Sequence, residues 1–149
     1  FDPSQVKVSL DNTGDLDLQI SGPWRSTILW EVPLMAIISE LYFAMIDTDW
    51  NHSDLEVEVK AGDKMRRLNT YHCLFTEFGT RRRRAFWVQD SVVGTMNRIQ
   101  DTLDSPCFLG TSNVYFAKKY GIKAFGTMAH EWGMAMSVLE GGTKSEISK

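Results

Sequence analysis

Three short apolar stretches in the second half of the chain share one ending: Gly79-Thr80 follows Cys73 to Phe78, Gly110-Thr111 follows Cys107 to Leu109, and Gly126-Thr127 follows Ile122 to Phe125. Each stretch reads as a strand. Between the first two, Val88, Val92, Met96, Ile99 and Leu103 recur at spacings of 4, 4, 3 and 4, which is one face of a helix. Between the last two, Asn113 can cap a short helix through Tyr120, and Gly121 can stop it. Strand, helix, strand, helix, strand predicts parallel pairing through right-handed crossovers. Ligands gather at the carboxyl ends of such strands. The polar residues there are Arg81, Ser112-Asn113 and His130. The plainer reading is that Gly and Thr are common turn residues, but repetition in three successive strands favours a shared rim.

The first half reads differently. Gln5 to Leu10 and Asp15 to Ile20 alternate apolar and polar around the turn residues Asp11-Asn12-Thr13-Gly14, which predicts a β-hairpin. Pro33 suits the first turn of a helix, and Leu34 to Ile46 is apolar almost all round, so that helix is expected in a core. The longest apolar stretch, Val32 to Ile46, falls short of the ~20 residues a bilayer needs. Asp54 to Asn69 predicts a more exposed helix. With 149 residues, 43% of them apolar, there is chain enough for one sizeable core. Cys73 and Cys107 do not suggest a disulfide framework, and both read as core-filling in a reducing compartment. A soluble, cytoplasmic protein is expected, with the nucleus also open. Phe1 at the start and the polar, Gly-rich stretch 140–149 at the end suggest a piece of a longer chain.

Charge is unevenly distributed. Residues 1–60 hold 3 Lys/Arg against 11 Asp/Glu, whereas residues 61–149 hold 13 against 8. The basic half could hold a phosphate-bearing ligand, or simply present a solvated face. The run Arg81 to Arg84 begins at a strand end and enters a helix, so its members point in different directions. One or two of them reaching a small phosphorylated ligand, with the others paired to acids, fits better than nucleic-acid binding. His130 precedes Glu131, but a zinc-hydrolase motif needs a second His four positions on, and position 134 is Met. No metal site is expected. An acid–base or nucleophilic His130 at the rim stands beside a structural one. If its segment is extended, Glu131 faces away and cannot orient it. Phe75, Phe78, Phe86, Trp87 and Phe108 read mostly as core, with Phe78 placed to offer a ring face to a flat ligand.

Taken together, four stretches resemble the nicotinate phosphoribosyltransferase family. They are Gly22-Pro23-Trp24 with Ile28-Leu29-Trp30-Glu31-Val32-Pro33-Leu34, then Phe75-Thr76-Glu77-Phe78-Gly79-Thr80-Arg81-Arg82-Arg83, then Gly110-Thr111-Ser112-Asn113-Val114, then Gly126-Thr127-Met128-Ala129-His130-Glu131-Trp132. Ala117-Lys118-Lys119-Tyr120-Gly121 and Asp49-Trp50-Asn51 look most like its fungal branch.

The resemblance implies an α/β fold: part of an irregular α/β barrel of the type II phosphoribosyltransferase kind, over residues 51–149. Residues 1–50, the β-hairpin and buried helix, would belong to an α+β N-terminal domain. It implies an enzyme of pyridine nucleotide biosynthesis, in the salvage of NAD. Nicotinate and 5-phosphoribosyl-1-diphosphate would give nicotinate mononucleotide and diphosphate, coupled to ATP hydrolysis with Mg²⁺. His130 would be the phosphohistidine, Phe78 would stack on the pyridine ring, Arg81 would hold a carboxylate or phosphate, and Ser112 and Thr127 would line the pocket. A homodimer is implied, with neither nucleic acid nor membrane as partner. The family's ribose-phosphate loop would lie beyond Lys149 and its sandwiching aromatic before Phe1, so the isolated chain is expected to be inactive. A nicotinamide or quinolinate phosphoribosyltransferase, or an inactive fragment of the fold, are the alternatives.

Overall fold

A computed structural model of the protein describes residues 2–50 and 52–139; Phe1, Asn51 and the stretch 140–149 lie outside the described residues. The hairpin forms as the alternation predicts. Strands β1 (Val6–Leu10) and β2 (Leu16–Ile20) pair antiparallel, with Val6 opposite Ile20 and Leu10 opposite Leu16. Asp11 closes the turn by accepting hydrogen bonds from the Thr13 and Asp15 backbone N–H groups at 2.8 and 2.9 Å.

Helix α1 (Trp24–Thr27), a 3-10 turn at Ile28–Trp30 and helix α2 (Glu31–Met45) follow one another without a break. Together they make a helical run of 22 residues, Trp24–Met45. That run exceeds the apolar stretch read from sequence and is, by length and composition alone, long enough to cross a membrane. The expected burial of α2 is met only at Ala36. Ile37, Leu41, Tyr42 and Met45 are exposed, because nothing among the described residues covers these faces. The polar residues of α2 are committed to the α/β half: Ser39 donates to the Arg83 carbonyl at 2.8 Å, and Glu40 accepts from the Phe86 N–H at 3.1 Å.

Helix α3 (Asp54–Thr70) starts at a capping box, where the Ser53 hydroxyl accepts from the Glu56 N–H and the Glu56 carboxylate accepts from the Ser53 N–H. Its buried residues Val57, Ala61, Gly62 and Met65 share one face and pack on helix α4 (Phe86–Gln100). The periodicity of α4 is as predicted, but Gln89, Val93, Thr95 and Met96 form its buried side. Strands β3 (Phe75–Glu77) and β4 (Phe108–Thr111) pair in parallel. Helix α5 (Val114–Tyr120) is capped by Asn113, whose side-chain oxygen accepts from the Tyr115 and Phe116 N–H groups, and Gly121 ends it at φ 64°. The core lies between these elements: Met65, Val93, Met96, Cys107, Phe108 and Phe116. Cys107 fills it as expected, whereas Cys73 is exposed because β3 begins only at Phe75.

The third strand is reduced to a bridge. Ala124 pairs in parallel with Thr111, with Thr111 N–H donating to the Lys123 carbonyl at 3.1 Å and Phe125 N–H to the Thr111 carbonyl at 2.9 Å. At this crossing Gly110 has φ 144°, and a Cβ there would lie 2.0 Å from the Lys123 carbonyl oxygen. Only glycine fits. Helix α6 (His130–Leu139) closes the described chain.

Candidate functional site

Strands β3, β4 and the 123–125 segment run in parallel side by side, so their carboxyl ends share one edge. The three Gly-Thr pairs are staggered along it. Glu77 is level with Thr111, and Thr111 with Ala124. Gly79-Thr80 and Gly126-Thr127 therefore lie beyond the paired residues, while Gly110-Thr111 lies inside β4. Thr111 is fully buried and faces the interior of the rim rather than a ligand.

Glu77 organises this edge. Its carboxylate accepts a short hydrogen bond from the Gly79 N–H, one from the Thr111 hydroxyl at 2.6 Å, and two from the Gln89 amide at 3.0 and 3.1 Å. The Thr80 hydroxyl accepts from Gln89 at 2.9 Å and from the Asn113 amide at 3.0 Å. The Asn113 N–H in turn donates to the Thr111 hydroxyl, and the Ser112 N–H to the Glu77 carbonyl at 2.8 Å. This network of side chains joins the end of β3 to the end of β4. Sequence reasoning missed Glu77, although a carboxylate among the mostly apolar residues 73–78 was a signal that could have found it.

Around the network stand the residues expected at the site. Phe78 is 47% exposed, so its ring is open to a ligand and is not core. Phe86 and Trp87 are likewise exposed on one side. Ser112 is half-buried beside the β3 end. Arg81 sits in a 3-10 turn, Thr80–Arg82, and its guanidinium pairs with Glu31 of α2 at 2.5 Å. The four arginines diverge, as expected of a strand-to-helix junction. Arg83 donates to Gln89 at 3.2 Å, lies 3.8 Å from Glu40 and stacks over Phe86. Arg84 lies over the rings of Phe43 and Trp50. Among the described residues Arg82 has no ion pair.

Thr127 and His130 belong to the next segment, and both are exposed. His130 opens α6 instead of standing in an extended strand; the chain turns helical at the very residue where the alternation argument would have applied. Trp132, one turn into α6, stacks on Trp24 of α1 with ring centroids 6.1 Å apart. That aromatic pair anchors α6. No hydrogen bond or ion pair ties His130 to Phe78, Arg81 or Ser112 among the described residues. The structure therefore places Phe78, Arg81 and Ser112 on the turns after β3 and β4, and leaves Thr127 and His130 at the end of the adjoining segment.

The parallel pairing of β3 and β4 through α4, with α5 following, makes this part of the chain an α/β unit. Its strand ends carry an aromatic ring, a guanidinium and a hydroxyl, groups chemically able to hold a flat anionic molecule. Residues 73–146 match the nicotinate phosphoribosyltransferase (NAPRTase) family. The chain is 47% identical to nicotinate phosphoribosyltransferase of Methanosarcina mazei, over 95% of this chain and 37% of that protein. It is 44% identical to the Saccharomyces cerevisiae enzyme of the same name, over 82% of this chain and 29% of that protein. The crystal structure of nicotinate phosphoribosyltransferase from Porphyromonas gingivalis superimposes with a TM-score of 0.81 at 34% identity, covering 95% of this chain and 35% of that one. The chain belongs to the nicotinate phosphoribosyltransferase family and spans about a third of the length of such relatives.

Proposed function

We propose that the protein takes part in joining nicotinate to 5-phosphoribosyl-1-diphosphate. The pyridine nitrogen forms a bond to the anomeric carbon of ribose, the bond from that carbon to the diphosphate oxygen breaks, and diphosphate leaves with its electron pair. The observation that carries this reading is the placement of Phe78, Arg81 and Ser112 on the turns after two adjacent parallel strands. Phe78 would stack on the pyridine ring, Arg81 would hold a carboxylate or phosphate as a fixed cation, and Ser112 and Thr127 would line the pocket.

His130 is proposed as the phosphoryl carrier for ATP. A neutral imidazole nitrogen attacks the terminal phosphorus, ADP leaves, and water later releases phosphate from the histidine. Its place supports this: an exposed side chain on the first residue of a ten-residue helix puts a phosphoryl group near the positive end of the helix dipole. Among the described residues no group of three or more His, Cys, Asp or Glu could cage a metal ion. Mg²⁺ would then reach the site with the phosphates of ATP or phosphoribosyl diphosphate, whose charge it would neutralise.

Residues 1–50 are read as part of an α+β unit and the remainder as the start of a barrel, acting within a homodimer. The test is product formation from phosphoribosyl diphosphate, by a full-length enzyme that carries these residues, with nicotinate, nicotinamide and quinolinate in competition. Nicotinate mononucleotide as the dominant product supports the reading; preference for either other pyridine, or no product at all from that full-length enzyme, overturns it.

A further inference from the structure

We propose that Glu77 is a positioning residue that clamps two substrate-facing turns, Phe78 to Arg81 and Ser112-Asn113, into one rim of fixed width. The proposal rests on the functional reading above for what the rim holds, but not for the clamp itself.

The argument starts from what the carboxylate is bonded to. A part-buried Glu in an α/β strand would ordinarily find a cation. Among the described residues Glu77 has none, although four arginines follow within seven positions. Its oxygens instead accept from neutral donors on three separate elements: the Gly79 N–H of its own turn, the Thr111 hydroxyl of β4 and the Gln89 amide of α4. One charge thus organises three donors, and charged acceptors make stronger bonds than neutral ones.

The same donors extend the clamp. Gln89 passes it to the Thr80 hydroxyl and to the Arg83 guanidinium, and Thr80 passes it to Asn113. Thr111 passes it to the Asn113 N–H at 3.1 Å. Asn113 then caps α5, so the turn carrying Ser112 is fixed at both ends. Phe78 and Arg81 on one side, and Ser112 on the other, gain a shared reference in Glu77.

Gly79 is the second observation. A Cβ on that residue would lie 2.6 Å from the near carboxylate oxygen of Glu77. Position 79 is therefore shaped around the carboxylate as it curls back over its own turn. Any larger residue would push the carboxylate off the Gly79 N–H. Gly79→Ala and Glu77→Gln disturb the clamp by unrelated routes, one steric and one electronic.

The test is hydrogen exchange on the full chain, comparing wild type with Glu77→Gln and Gly79→Ala. Both variants should speed exchange about tenfold, the size of one lost hydrogen bond, in the 78–82 and 111–113 segments together, with α3 and α4 unchanged. Faster exchange in the nearer turn alone, a uniform rise across the chain, or no change overturns the clamp. Kinetics of a full-length enzyme carrying the same substitutions supply a readout that mere loss of folded protein cannot imitate. A rim of the wrong width weakens ground-state binding, so KM for nicotinate rises about tenfold at nearly constant kcat. A fold defect lowers kcat at constant KM, and that result also overturns the proposal. If the full-length wild type turns over no nicotinate, the functional reading fails, and the exchange data still decide the clamp.

Discussion

The Arg81 guanidinium and the Glu31 carboxylate meet at 2.5 Å across the junction between the β3 turn and the first turn of α2, with side chains 46% and 52% exposed. An acidic residue thus already occupies the cation expected to meet the substrate. Exposed pairs of this kind are worth about 0–1 kcal/mol, little enough for an anionic ligand to displace.

Removing that competitor should tighten binding. Glu31→Gln is expected to raise affinity for nicotinate or phosphate about two- to fivefold at low salt, with the gain shrinking as ionic strength rises. Isothermal titration at two salt concentrations checks this. An unchanged affinity at low salt would mean that Arg81 does not touch the ligand.

His130 is exposed and opens a helix, so its loss should spare the fold. Incubation with Mg²⁺-ATP should add one acid-labile phosphoryl group to the wild-type mass and none to His130→Ala, while the melting temperatures stay alike. A phosphorylated variant would move the carrier elsewhere.

Two glycines with positive φ should respond unequally to alanine. At Gly121 nothing lies within 4 Å of an added Cβ, whereas at Gly110 the Cβ would meet the Lys123 carbonyl oxygen at 2.0 Å. Gly121→Ala should cost about 1 kcal/mol for backbone strain alone. Gly110→Ala should cost about 3 kcal/mol or more, since backbone must also move. Chemical denaturation of the two variants compares them, and equal losses would show that the bridge to Ala124 is not held.

Asp90 ties α4 to α5, accepting from Lys119 at 2.6 and 2.7 Å and from the Tyr120 hydroxyl at 2.6 Å. Burial pushes its carboxyl up, but the hydrogen bonds from Lys119 and Tyr120 and the nearby ammonium outweigh it, leaving the carboxyl below its ordinary value. A carboxyl depressed in the folded state stabilises above the unfolded value of about 4 and loses that contribution as the pH falls further. Burial, followed by the bond to Asp90, raises Tyr120. That contribution is present below about pH 10 and is lost in stronger base. Thermal melts of Asp90→Asn should show a shallower fall of stability below about pH 4 than wild type. Parallel acid limbs would remove Asp90 from the account.

The hairpin and most elements of the α/β half were legible because each is set locally. Asn113 carries its own capping oxygen, the hairpin turn carries Asp11 and Gly14, and the spacing of apolar residues in α4 reports a helix whatever it packs against. The rim was legible only in part. Phe78, Arg81 and Ser112 follow strand ends and were found by position. Glu77, Gln89 and Glu31 were not singled out, because what makes them matter is a partner between 12 and 50 residues away.

By itself, the sequence determined the hairpin, the helices α2 to α5, the first parallel strand pair and the family, since propensity, caps and motif wording are properties of neighbouring residues. Only the tertiary structure decided that Thr111 turns inward, that Cys73 stays outside the core and that α2 leaves most of its apolar surface uncovered. Burial and hydrogen-bond partnership depend on which elements meet, and the same Gly-Thr pair serves as an open turn in one strand and a buried clamp point in the next.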